Sequence, residues 1–131
     1  MTDPDSAVRY WGATGALIRG AEEVKSCHAP LTRALTDESP YVRIPAAEAV
    51  AKFGPEADVS AALSVLISMA NCRQTNPDVA LAALNAIDAL GNKAAPLKDQ
   101  IAALPDSNPK IPARENYIPR LRDWITKKLA S

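Results

Sequence analysis

The chain repeats itself. Asp3-Pro-Asp-Ser-Ala-Val-Arg9 and Asp37-Glu-Ser-Pro-Tyr-Val-Arg43 carry Asp, Val and Arg at the same offsets. Each then runs through small residues to a glycine, Gly20 and Gly54, 34 residues apart. A third copy starts at Asn76-Pro-Asp-Val79 and closes at Gly91, 37 residues after Gly54. The extra length falls in the polar stretch Asn71–Thr75, between elements, where insertions cost little. A fixed period of this size marks stacked supersecondary units, none of which buries its apolar face alone.

Each copy reads as two helices. In the second, Ser39 is placed as N-cap with Pro40 at the first helical position, where its missing N–H does no harm. Val42, Ala46, Ala49, Val50 and Phe53 then form one apolar stripe at helical period, and Gly54 is expected to close the helix in a left-handed conformation. The partner helix is expected at about 58–70, with Ala62, Leu63, Leu66, Ile67 and Ala70 inward. The third copy repeats the pattern with Val79, Ala83, Ala86, Ile87 and Leu90, then a helix at about 94–104 that Pro96 begins. In the first copy the second helix spans about 22–35, and Pro30 should kink or split it; Pro45 should bend its own helix. A strand reading fails, because alternation is absent and alanine dominates the apolar positions.

After Leu104, three prolines in eight residues mark a turn or linker. A last helix fits 119–129, with Leu121, Trp124, Ile125 and Leu129 at i, i+3, i+4 and i+8. The expected architecture is all-α: one domain over residues 1–131, an α-solenoid of three two-helix repeats at about 3–36, 37–70 and 76–104. A C-terminal capping helix at about 113–130 completes it.

These residues resemble HEAT-type repeats, in the Asp-x-x-x-x-Val-Arg opening, the small-residue first helix and the closing glycine. The resemblance implies structural interrepeat roles for Asp3, Arg9, Asp37 and Arg43. The third copy departs from the pattern, with Ala80 in place of the Arg and no opening Asp, and Arg19 stands where Phe53 and Leu90 stand in the other copies. A narrower likeness lies in Asp3-Pro-Asp-Ser-Ala-Val-Arg-Tyr-Trp-Gly-Ala-Thr-Gly15 and Ser39-Pro-Tyr-Val-Arg-Ile-Pro-Ala-Ala-Glu-Ala-Val50. Both are similar to HEAT segments C-terminal to bacterial sulfatases of the heparan N-sulfatase and arylsulfatase-like group. That likeness implies an accessory domain whose parent carries the chemistry and is exported. A sulfatase nucleophile sits in Cys/Ser-x-Pro-x-Arg, and neither Cys27 nor Cys72 begins such a motif.

Catalysis within the chain is not expected. His28 is the only histidine, and its neighbour Cys27 points about 100° away on a helix, so the two do not form a nucleophile–base pair. Glu22 and Glu23 read as first-turn acids favouring a helix dipole. No cofactor or metal is expected: Cys27-His28 lacks further ligands at zinc spacing, and no glycine loop suits a phosphate. The two cysteines are placed too far apart along the helices for a disulfide.

Charge speaks against nucleic acid, since 15 Lys+Arg balance 15 Asp+Glu. Within that balance residues 105–131 carry a net +3, read as a solvated cap face. No apolar run is long enough to span a membrane, and Met-Thr-Asp-Pro-Asp lacks the basic start of a signal peptide. The aromatic residues point instead to a protein partner or a parent catalytic domain, the chain itself being a monomer or weak dimer. Tyr10 and Trp11, at the edge of the first helix, and Tyr41, in the turn between repeats, are the candidate docking residues. The expected function is thus a non-catalytic interaction domain. The main rival is a free-standing adaptor binding a protein through the face around Lys25, Arg33, Ser60, Ser64 and Lys98; a small HEAT-like lyase or nucleic-acid-binding protein stands behind both.

Overall fold

The computed structural model describes residues 3–110 and 117–130, the side chain of Ala130 excepted. The described residues are helical, with no strand among them: α1 (Ser6–Arg19), α2 (Ala21–Ser26), α3 (His28–Ala34), α4 (Pro40–Phe53), α5 (Glu56–Met69), α6 (Pro77–Leu90), a 3-10 run (Gly91–Leu97), α7 (Lys98–Ala102) and α8 (Tyr117–Ala130). The all-α expectation therefore holds. Two compact units divide the chain, Met1–Val65 and Leu66–Ser131.

In the first unit α1 packs on α4 and α2, and α2 and α3 both pack on α4. Helices α1 and α4 both bury small side chains, Ala13 and Ala16 in α1 and Ala46, Ala47 and Ala49 in α4. Side chains this small let helix axes approach toward the short end of the usual 8–10 Å or so. Leu31 and Val24 complete the core from α3 and α2. Asp5 caps α1, its carboxylate accepting the Ala7 N–H at 2.8 Å. Ser39 holds the N-cap position of α4, but its side chain makes no capping bond.

The second helix of the first copy is split, at Cys27 (φ −102°, ψ 18°). The physical cause lies three residues on. Pro30 has no N–H for the Ser26 carbonyl and its ring crowds that carbonyl, so a continuous helix is broken there. Restarting at His28 places Pro30 in the first turn of α3, where no intrahelical donor is required. Pro45, buried within α4, is spanned without a break.

Gly54 is a correction. It is extended (φ −80°, ψ 173°), not left-handed, because Pro55 follows and drives the preceding residue out of helical and left-handed space. Its glycine is required sterically: a Cβ there would stand 2.6 Å from the Val50 carbonyl oxygen. Gly20 (φ 90°) and Gly91 (φ 59°) do adopt positive φ.

In the second unit α6 and α7 pack on α8, and α6 on the 3-10 run. Val79, Ala83, Ala86, Ile87 and Leu90 all face inward, and Asn76 caps α6 by accepting the Val79 N–H at 3.0 Å. Pro96 does not begin an α-helix. It lies inside the 3-10 run, and only Lys98–Ala102 is α-helical after it. In α8 the buried line is Ile118 and Ile125, while Trp124 is exposed, so the expected register is corrected by rotation toward Ile118. The expected start of the cap at about 113 lies outside the described residues.

Candidate functional site

The four residues assigned interrepeat roles converge on Asp37. Arg9, 8% exposed, donates from its guanidinium to both Asp37 carboxylate oxygens at 2.8 and 3.1 Å, and to the Asp3 and Pro4 carbonyls at 2.8 and 2.9 Å. Arg43 Nε donates to the Asp37 carbonyl, and Asp37 Oδ1 also accepts the Ser39 N–H at 2.9 Å. The Arg9 hydrogen bond, outweighing desolvation and helped by Ser39, holds the Asp37 carboxyl below the usual carboxylate range. One side chain thus ties the entrance of α1 to the entrance of α4. These contacts engage Arg9 and Asp37 in holding the fold.

The outer face of α1 is different. Val8, Trp11, Gly15 and Ile18 lie within about 80° of helix arc, opposite the buried Arg9, Ala13 and Ala16. Val8 is 48% exposed, Trp11 67% and Ile18 77%. A stripe of large apolar side chains facing water leaves apolar surface hydrated at a cost in free energy. Trp11 does not fold onto its own repeat. Its ring meets the half-buried Tyr10 ring edge to face, with centroids 5.2 Å apart and planes at 71°, which fixes the indole without covering it. Arg19 ends this face in solvent, 3.5 Å from Glu23. Tyr41 is exposed on the first turn of α4.

The titratable residues pair elsewhere. Cys27 and His28 diverge: Cys27 Sγ donates to Glu23 at 3.4 Å, while His28 Nε2 meets Asp58 Oδ2 at 2.5 Å. The reading from sequence missed that His28–Asp58 pair. Its only signal is that a histidine opening α3 and an acid in the first turn of α5 end up on the same side of α4's C-terminal turn, which needs the split at Cys27 to be known in advance. Burial, then the Glu23 bond, pushes the Cys27 thiol up, and burial pushes Cys72 up. Both thiols are free. Among the described residues no group of three or more His, Cys, Asp or Glu could hold a metal ion, and no helix is long and apolar enough to cross a membrane.

In α8, Arg122 donates to the Leu104 carbonyl at 2.9 Å and pairs with Asp106 and Asp123, and Lys128 reaches Asp88 at 2.7 Å. Much of the positive charge of this helix is thereby spent on holding it to its own unit. Comparison with known proteins returned no matching family model, no matching curated protein and no matching solved structure. The likeness to HEAT-type repeats and to sulfatase-associated segments rests on the residues quoted above.

Proposed function

We propose that this chain is a non-catalytic interaction domain of three HEAT-like repeats closed by α8, serving as the accessory repeat part of a sulfatase-like hydrolase. The observation that carries the reading is the exposed stripe Val8, Trp11 and Ile18 on a helix whose other side is committed to the core. In stacked repeats the outer face of the first helix is where another unit or domain packs, and an end left bare must otherwise be polar. The engaged state of Arg9, Asp37 and Arg43 agrees with interrepeat roles, and the separate pairings of Cys27 and His28 offer no nucleophile–base couple.

The reading frame upstream of Met1 tests this. The accessory-domain reading expects an in-frame Cys/Ser-x-Pro-x-Arg motif, and expects the domain encoded there, expressed separately, to bind this chain in trans. A stop codon ahead of Met1, or an encoded domain that does not bind, overturns the sulfatase assignment and leaves the adaptor reading, in which the same face meets an independent protein.

A further inference from the structure

One concave feature of the first unit lies away from the α1 stripe. It is a cavity of about 540 Å³ where α2, the start of α3 and the end of α4 meet. Val24, almost wholly buried, forms its floor; Ala21, the Phe53 ring and Pro55 form apolar walls; Lys25 and His28 stand on its rim. Phe53, expected in the core stripe of α4, is only half-buried because this space lies against it. The volume is within the range of about 300–1,000 Å³ that holds small ligands, and a mostly apolar lining with a few polar groups is their usual setting.

No carboxylate lines the cavity. Lys25 makes no ion pair among the described residues. Asp58 takes the Nε2 side of His28 and so holds the imidazole at the rim. An ammonium at the mouth of an apolar slot with a phenyl wall selects a particular shape of molecule. We propose that this cavity binds a small amphiphilic anion, a flat apolar body lying against Phe53 with one carboxylate-type head on the Lys25 ammonium. The site is independent of the α1 face and of its partner.

The probe is 2-naphthoate, with 2-naphthol as its uncharged counterpart, each titrated into the full chain and followed by amide chemical shifts. Saturable naphthoate binding is expected, with the largest shifts at Ala21, Val24, Lys25 and Gly54, and tighter than naphthol. Lys25→Gln, at an exposed position, should weaken naphthoate about threefold to fivefold, the scale of one exposed charge pair, and leave naphthol unchanged. Ala21→Phe, also at an exposed position, should fill the cavity and remove both. Linear shifts without saturation, equal affinity for the two probes, shifts centred on Trp11 and Ile18, or indifference to Ala21→Phe in a folded variant would each overturn the proposal.

Discussion

Replacing glycine by alanine should stabilise this protein at position 15 and destabilise it at position 54, although the chemical change is the same. Gly15 lies in the interior of α1, and nothing stands within 4 Å of where its Cβ would be. There the substitution only removes backbone freedom from the unfolded chain, worth about 0.5–1 kcal/mol in favour of the fold. At Gly54 the same entropic gain is available, because φ is −80°, but the new Cβ meets the Val50 carbonyl oxygen at 2.6 Å and Val50 Cα at 3.2 Å. Both are backbone atoms that no side-chain rotation can move. Relieving such a contact costs roughly 1–3 kcal/mol, which exceeds the gain and leaves a net loss of about 0.5–2 kcal/mol. Urea unfolding followed by circular dichroism at 222 nm measures both variants against wild type, with unchanged m-values expected. A stabilised Gly54→Ala would show that the end of α4 is not closed as described; a destabilised Gly15→Ala would show that the outer face of α1 is covered.

Two carboxylates should respond oppositely to pH. Asp37 titrates lower in the folded protein, so its contribution is present above the ordinary carboxylate pKa of about 4 and is lost as pH falls through the depressed folded value; Asp37→Asn should flatten the acid limb of a stability–pH curve. Burial raises the folded pKa of Glu48, which lies half-buried in α4, so stabilisation linked to its protonation is full in acid and lost as pH rises. Glu48→Gln should therefore be more stable than wild type at pH 7, the difference shrinking on acidification. Leu31→Ala, at a side chain wholly out of water, should cost about 2–5 kcal/mol in the same urea assay. Cys72 should resist Ellman's reagent until the protein unfolds, whereas the part-exposed Cys27 should react slowly in the native state and faster in Glu23→Gln, which removes the negative charge that helps hold the thiol protonated.

Periodicity made most of the helices legible. The α4 and α6 stripes and the break in the first copy's second helix could be read because spacing and proline geometry act locally. What escaped depended on neighbours. Gly54 looked like a left-handed cap until the following proline decided its conformation. The buried line of α8 runs through Ile118 and not Trp124, a choice between two adjacent apolar faces that only α6 and α7, packed against it, make. Of the candidate surface, Trp11 was visible as an aromatic on a small-residue helix. Ile18 was not singled out, because one apolar residue beside Arg19 carries no signal until its helical phase is known. The His28–Asp58 pair joins residues 30 apart, beyond any local pattern.

The central claim is that the outer face of α1 is surface built for a partner. Trp11→Asp tests it in one experiment, with thermal unfolding measured on the same sample as affinity for the catalytic domain that the accessory-domain proposal expects upstream. An exposed indole predicts a stability within about 0.5 kcal/mol of wild type together with loss of binding. Lost stability would place Trp11 in the core, and an unchanged melt with unchanged affinity would contradict the docking face itself.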